Sequence, residues 1–189
     1  MTNPNYPHPP QNDDVAAPLY GARIGQAISR FFRKYTVFHG RASRSEFWWV
    51  ALAHAALSLI PAVVLSVGVV IGVSYASSNQ EPVYYNNGNG TQTLLGHSQP
   101  GILENPTAAV LIFVGAAILA LLFLATVVPF LALSWRRLHD ANFPGPFYFF
   151  SAVPFIGSLI LLFLLAQPSK DDGRRFDRPV TPDMPLTQP

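Results

Sequence analysis

The sequence predicts an all-α integral membrane protein with three hydrophobic helical segments, the third kinked or re-entrant, preceded by an amphipathic interfacial helix. Two observations predict this class. Segments Phe47–Val73, Thr107–Trp135 and Phe147–Ala166 contain no Asp, Glu, Lys or Arg in 27, 29 and 20 residues. At about 1.5 Å per helical residue, each can reach across a hydrocarbon core of about 30 Å. Charged residues form only 12% of the chain, against about 25% in soluble domains, so too little polar sequence remains to cover three buried helices.

The chain before the first apolar segment divides into a tail and a predicted helix. Residues 1–19 contain five prolines and few large apolar groups. That composition cannot build a core and predicts a disordered tail. Residues 21–36 place apolar and basic side chains on different sides of a helix. We expect this amphipathic helix to lie on an anionic membrane surface, and packing against the protein's own cytoplasmic helix ends is a compatible alternative.

The predicted membrane domain covers residues 20–166. Its parts are a first span at 47–73, a polar outer loop at 76–106, a second span at 107–135, a charged hinge at 136–145 and a third segment at 147–166. The outer loop is rich in Asn, Gly and Pro, which are turn and loop signals. A second disordered tail, basic and rich in proline, is predicted at 167–189.

The distribution of Lys and Arg predicts a cytoplasmic N-terminus. Six of the twelve precede the first span, two lie in the hinge, four lie in the C-terminal tail and none lies in the outer loop. With three full spans, this orientation places eight cations inside and four outside, as the positive-inside rule favours. If the third segment turns back at Pro154 and Gly157, all twelve lie inside. We prefer three full spans as the simpler topology, because Pro61 and Pro129 already occur within spans.

A cytoplasmic N-terminus brings the start of the first span and the end of the second to one leaflet. We name the charged groups there the clasp, and they are Arg41, Arg44, Glu46, Arg136, Arg137, His139 and Asp140. Arginines alone could be anchors that snorkel to lipid phosphates, but the two acids suggest interhelical ion pairs. The expected pairs are Arg44 with Asp140, and Glu46 with Arg136 or Arg137. Tryptophan prefers the headgroup region, and the same level holds Trp48, Trp49 and Trp135.

Two motifs make the chain recognisable. The residues FHGRASRSEFW at 38–48 and RRLHD at 136–140, followed by a proline-containing third segment, resemble the DUF805 (YhaH-like) family of bacterial inner-membrane proteins. The resemblance implies a small multi-pass protein of the bacterial cytoplasmic membrane and no established activity. The family tends to have glycine where Asn142 stands, and tryptophan where Pro146 and Phe147 stand. Because Asn tolerates a left-handed backbone, we expect the turn to survive.

The sequence contains no recognisable catalytic motif, so we expect no enzyme, no cofactor and no metal site. His139 and Asp140 are neighbours that point about 100° apart on a helix, which is poor geometry for acid–base catalysis. His54 lies within the first span, where a lone ionisable group is a functional candidate, although a histidine bonded to its own helix is the simpler alternative. The basic stretches lie against membrane, which argues against nucleic acid as a partner.

Two functions remain open from the sequence. The first is a structural or interaction module whose clasp binds anionic lipid headgroups or a membrane partner. The second is a small oligomeric transporter or channel component, with a path past His54. Three spans are few for a monomeric transporter, and neither an internal repeat nor paired broken helices support that function. A lipid-modifying enzyme that uses His139 is a third, weaker hypothesis.

Overall fold

The computed structural model describes residues 17–177, so most of the tail predicted at 1–19 and the end of the tail predicted at 167–189 lie outside the described residues. The elements, in order, are α1 Ile24–Arg33, α2 Arg44–Ser78, β1 Glu81–Asn86, β2 Gln92–Ser98, α3 Pro106–Asp140, a 3-10 helix Gly145–Ala152, α4 Ile156–Ala166 and a 3-10 helix Asp171–Phe176. Two compact units divide the described chain, one from 17–53 with 126–177 and the other from His54–Ala125. Helices α2 and α3 run through both units.

Helices α2 and α3 are the two elements long and apolar enough to cross a membrane within the described residues. Each has 35 residues and is therefore about 52 Å long. Both helices begin at residues that are typical of helix N-termini. The Glu46 N–H donates to Ser43 Oγ (3.2 Å) while the Ser43 N–H donates to the Glu46 carboxylate (2.9 Å), a reciprocal capping box. Asn105 accepts the Ala108 N–H at the start of α3, and Pro106 takes the first helical position, where no N–H is needed.

Two glycines allow α2 and α3 to approach closely within the unit His54–Ala125. A Cβ on Gly68 would lie 2.9 Å from the Ile112 nitrogen, and a Cβ on Gly115 would lie 2.8 Å from the Leu65 nitrogen. Close backbone approach at small residues replaces the hydrophobic effect as a source of helix association in lipid. Many large apolar side chains remain exposed on α2 and α3, and such surfaces are suited to contact lipid.

The prediction that residues 76–106 form only a loop was wrong over 81–98. Strands β1 and β2 pair antiparallel, with Tyr84 opposite Leu94 and a bulge between Val83 and Tyr84. Aromatic and β-branched residues favour strands, and the glycine-rich tip permits the turn, since Gly88 and Gly90 have φ of 74° and 83°. These local preferences explain a hairpin within a segment whose Asn and Gly content indicates turns.

The predicted hinge also differs, because residues 136–140 are the last turn of α3. The helix ends in a Schellman motif. The Phe143 N–H donates to the Leu138 carbonyl (2.8 Å) and the Asn142 N–H to the His139 carbonyl (2.9 Å), with Asn142 at φ 67°. Asparagine thus takes the left-handed position that glycine usually fills, as the sequence led us to expect. The charged residues 136–140 stay in the helix, where Arg137 binds the Leu165 carbonyl and Asp140 accepts the Tyr20 hydroxyl.

The third apolar segment is not one continuous helix. The 3-10 helix Gly145–Ala152 is followed by a break at Phe155, where φ is 60°, and then by α4 with 11 residues. Helix α4 is about 16 Å long, roughly half of the hydrocarbon thickness. Both ends of the segment lie beside the last turns of α3. Gly145 packs so tightly on the Trp135 indole that a Cβ would overlap it, and Arg137 binds the Leu165 carbonyl at the far end.

Helix α1 is shorter than the predicted 21–36 and packs on the protein itself. Its buried residues are Ala27 and Phe31. The Phe31 ring makes an edge contact with Phe130 of α3, with centroids 5.9 Å apart, and Phe130 also contacts Phe47 of α2 at 6.2 Å. These rings belong to one apolar cluster that includes Leu133, Leu138 and the buried leucines of α4. This is the packing that the sequence offered as the alternative to a surface helix.

Candidate functional site: the charged clasp

Six of the seven clasp side chains are buried, and Arg44 is exposed. The relative exposures are Arg41 9%, Glu46 2%, Arg136 1%, Arg137 0%, His139 7% and Asp140 0%. Ionised groups are removed from water only when partners compensate them. The partners of each group therefore decide what the clasp can do.

Asp140 is the centre of one network. Its carboxylate accepts hydrogen bonds from Arg137 Nη1 at 2.7 Å, from Tyr20 Oη at 3.0 Å and from Ser169 Oγ. Arg41 Nη1 lies 3.8 Å away. The three donors and Arg41 come from four separate parts of the chain. Tyr20, for example, lies 120 residues before Asp140. The predicted pair of Asp140 with Arg44 was wrong, because Arg137 on the same helix and Arg41 before α2 take that carboxylate.

Arg137 connects this network to the end of α4. Its Nε donates to the Leu165 carbonyl at 2.9 Å, and its Nη2 donates to the Gln167 carbonyl. The last carbonyls of a helix lack intrahelical partners and carry partial negative charge, so a cation there is stabilising. The Lys170 N–H also donates to the Asp140 carbonyl at 2.8 Å. Arg137 therefore fixes where α4 ends relative to α3.

Glu46 organises a second network at the start of α2. Besides closing the capping box, it accepts the Leu19 N–H at 3.1 Å and pairs with Arg30 of α1. The predicted ion pair of Glu46 with Arg136 or Arg137 was wrong, because the capping geometry turns the Glu46 carboxylate toward Arg30 of α1. Arg136 remains close enough for Glu46 to stabilise its charge electrostatically, and its Nε donates to the Ala132 carbonyl at 3.2 Å.

A third network holds the C-terminal 3-10 helix Asp171–Phe176, which we call the strap. Arg41 forms a forked pair with Asp177, with Nη2 and Oδ2 2.8 Å apart. The His139 ring stacks on Phe176 with centroids 4.1 Å apart, and its Nδ1 lies 3.1 Å from the Gly40 carbonyl. Because a carbonyl only accepts, that nitrogen carries the proton. Gly173 lies so close to the His139 carbonyl that a Cβ would overlap it.

The pKa shifts of Tyr20 and Arg41, which lie outside the helices, agree with these contacts. Burial raises the pKa of Tyr20, and the adjacent Asp140 carboxylate raises it further. Burial tends to lower the pKa of Arg41, but its hydrogen bonds to Asp177 outweigh that effect, so the pKa is raised. Tyr20 therefore stays a neutral donor and Arg41 a cation, the protonation states that the networks require.

At His139, one face of the ring is covered by Phe176, and Nδ1 is engaged by the Gly40 carbonyl. Among residues 17–177, no group of three or more His, Cys, Asp or Glu side chains could hold a metal ion. The clasp instead joins segments of the chain through hydrogen bonds, although the buried Nη2 of Arg136 has no hydrogen-bond partner among residues 17–177. The sequence analysis missed residues that bind the clasp, which are Tyr20, Arg30, Ser43, Ser169 and Asp177. The spacing Ser43-x-x-Glu46 was a readable capping-box signal for one of them.

The predicted interfacial tryptophans separate into two kinds. Trp48 and Trp49 of α2 are exposed, at 41% and 39%. Trp135 is partly buried, since its ring makes edge contacts with Phe38 at 5.8 Å and Phe149 at 6.2 Å. An open groove of about 470 Å³ runs beside the exposed pair, and its lining residues are Arg44, Ser45, Trp48, Trp49, Leu52 and Ala166. Trp135 is thus a packing residue, whereas Trp48 and Trp49 border free space.

The intramembrane candidate His54 lies in α2 and is partly buried. Its main-chain carbonyl accepts the Ser58 hydroxyl at 2.8 Å. The residue makes at least one further interaction, so it is not without a partner.

Comparison with known proteins places the chain in a family. Residues 35–178 match DUF805, described as a protein of unknown function. The chain is also similar to the inner membrane protein YhaI of Escherichia coli strain K12, with 30% identity over 144 residues, which are 76% of this chain and 86% of the relative. The same protein from Escherichia coli O157:H7 matches to the same extent. No solved structure matches the chain significantly. Both quoted motifs and all seven clasp residues fall inside the matched range, and the chain belongs to the DUF805 family.

Proposed function

We propose that this protein is a non-catalytic module of the bacterial inner membrane that holds anionic lipid at its cytoplasmic face. It crosses the membrane twice, through α2 and α3, with its N-terminal and C-terminal regions in the cytoplasm. The clasp fixes the cytoplasmic helix ends so that a set of basic side chains meets the lipid headgroups. The observation that carries this proposal is the burial of six clasp side chains, which bind other parts of the chain, beside cations that stay exposed.

The two-crossing topology is supported by the position of the third apolar segment. It begins at Gly145 against Trp135 and ends where Arg137 binds the Leu165 carbonyl. Both ends therefore lie at one end of α3, which is the geometry of a segment that enters and leaves on the same side. In this topology all twelve Lys and Arg residues of the chain face the cytoplasm, the strongest asymmetry the positive-inside rule can give.

The lipid preference is supported by the cations that the clasp leaves outside. Within residues 17–177, the exposed basic side chains without an acidic partner are Arg23, Arg33, Arg44, Lys170 and Arg175. Arg174 is exposed too, but it pairs with Asp171 at 3.1 Å. Each cation near an anionic leaflet contributes about 1 kcal/mol of attraction. The relative YhaI is named as an inner membrane protein, and we carry that location to this chain.

Thermal unfolding in vesicles of defined composition tests the proposed function. The full chain is reconstituted in phosphatidylcholine with increasing phosphatidylglycerol, or with matched amounts of phosphatidylethanolamine. We expect the unfolding midpoint to rise with phosphatidylglycerol alone, because a ligand that binds the folded state stabilises it. High salt should reduce the shift by screening exposed charges. Equal midpoints in all three lipids would overturn the proposal.

The transporter or channel alternative rests on His54. Under the module proposal, His54→Ala leaves the lipid-dependent stabilisation intact, since His54 lies in the span and not at the basic face. Ion or solute flux into vesicles containing the wild-type chain, lost in His54→Ala while the protein stays folded, would favour the alternative.

A further inference from the structure

We propose that the groove beside Trp48 and Trp49 is a binding site for one anionic phospholipid, with Arg44 as the residue that recognises its phosphate. The inference rests on the proposed function and gives that function a location. It also changes the role that the sequence assigned to the clasp. The buried clasp residues hold the fold, and the single exposed clasp residue, Arg44, binds the ligand.

Arg44 differs from the other clasp arginines in being exposed, so that its charge is open to an external anion. It is exposed and makes no hydrogen bond or ion pair with residues 17–177. By contrast, Arg41 pairs with Asp177 and Arg137 with Asp140. Arg44 is also the first residue of α2, where the positive end of the helix dipole makes a cation unfavourable. An anion bound at this position would offset both the side-chain charge and the dipole.

The remainder of the groove is suited to the apolar part of a lipid. Positions 44, 48 and 52 lie on one face of α2, because residues four apart are neighbours on a helix. Trp48, Trp49 and Leu52 are all exposed, and Ala166 at the end of α4 completes the lining. A small residue there leaves the space open. Tryptophan prefers the depth where headgroups meet acyl chains, so the groove offers a charge at one end and apolar surface below it.

These features select a lipid over a soluble anion. A free phosphate would gain the contact with Arg44 but would leave Trp48, Trp49 and Leu52 uncovered. A phospholipid satisfies the cation with its phosphate and covers the apolar lining with its glycerol backbone and acyl chains. The groove lies at the start of a helix long enough to cross the membrane, which is where such a lipid would be found.

Tryptophan fluorescence provides a direct test, because two of the three tryptophans border the groove. The full chain is reconstituted in phosphatidylcholine that contains a small fraction of brominated phosphatidylglycerol or, for comparison, brominated phosphatidylcholine. Bromine quenches tryptophan at short range. We expect brominated phosphatidylglycerol to be enriched near the tryptophans about five-fold, equivalent to about 1 kcal/mol for one cation near anionic lipid. Arg44→Gln should remove the excess quenching, and Arg44→Lys should keep most of it.

Arg174→Gln is the matched control, since it removes the same charge from an exposed arginine that Asp171 already neutralises. It should quench as the wild type does. Unchanged unfolding midpoints will show that Arg44→Gln leaves the fold intact. Excess quenching that survives in Arg44→Gln would overturn the proposed site, while the proposed function would stand if phosphatidylglycerol still stabilised the protein. Excess quenching abolished by added inorganic phosphate would identify a soluble anion as the ligand and overturn the assignment to lipid.

Discussion

Arg137 Nη1 and Asp140 Oδ2 lie 2.7 Å apart, one turn from each other at the end of α3, and both side chains are fully buried. Each residue also binds a different part of the chain. Asp140 receives the Tyr20 hydroxyl, and Arg137 donates to the carbonyl of Leu165. This single pair therefore links the segment before α1, the end of α3 and the end of α4.

Removal of one charge from this pair should destabilise the protein strongly. Asp140→Asn leaves Arg137 buried without its acid, and we expect a loss of about 3–5 kcal/mol in the free energy of unfolding. The double variant Arg137→Met with Asp140→Leu removes both charges. Its loss in the free energy of unfolding should therefore be smaller than the sum of the losses in Arg137→Met alone and Asp140→Leu alone. Unfolding in mixed detergent micelles measures these values.

The exposed pair Arg174–Asp171 is the control for that cycle. Its side chains are 72% and 92% exposed, and Asp171→Asn should change the free energy of unfolding by less than about 1 kcal/mol. If Asp140→Asn lowers the free energy of unfolding no more than Asp171→Asn does, the role given to Asp140 is contradicted.

The capping box at the start of α2 predicts a second effect. Ser43→Ala removes the acceptor for the Glu46 N–H and should cost about 1–2 kcal/mol. Ser77→Ala is a suitable control, because Ser77 is exposed near the other end of α2 and its hydroxyl donates to the Ser74 carbonyl of the same helix. Thermal unfolding of both variants in one detergent makes the comparison. Equal midpoints would show that tertiary packing alone fixes the start of α2.

Labelling of single cysteines tests the two-crossing topology. The chain has no cysteine, so Ser29→Cys in α1, Ser98→Cys in β2 and Asp172→Cys in the strap each carry one reactive thiol at an exposed position. With a membrane-impermeant maleimide on intact cells, we expect only Ser98→Cys to react. The other two should react after the cells are opened. Reaction of Asp172→Cys in intact cells would instead support the three-span topology that the sequence favoured.

The strap should depend on the absence of a side chain at Gly173. Gly173→Ala places a methyl group against the His139 carbonyl, and such overpacking typically costs about 1–3 kcal/mol. The Gly40 N–H donates to the Phe176 carbonyl of the strap at 3.0 Å, and Arg41 pairs with Asp177 just after it. We expect both contacts to be lost, and limited proteolysis after Arg174 or Arg175 would detect the detached strap. Gly25→Ala in α1 is the control, since its Cβ meets no atom within 4 Å. Cleavage of Gly173→Ala at the wild-type rate would contradict this prediction.

The sequence by itself determined the features that depend on short stretches of chain. The two long helices follow from uninterrupted apolar length, and the capping box from Ser43 and Glu46 three residues apart. The left-handed Asn142 follows from the turn that must end α3. The family was also recognisable from two local motifs. None of these features requires knowledge of which distant residues meet.

The tertiary structure decided the pairing and the role of each charge. Tyr20 reaches Asp140 across 120 residues, and Arg41 reaches Asp177 across 136, contacts that no local pattern encodes. The sequence therefore paired Asp140 with Arg44, whereas packing left Arg44 exposed. The path of the third segment was decided in the same way, because Arg137 binds the end of α4. Coulomb attraction specifies opposite charge, but only the packing of helices specifies which opposite charge comes within reach.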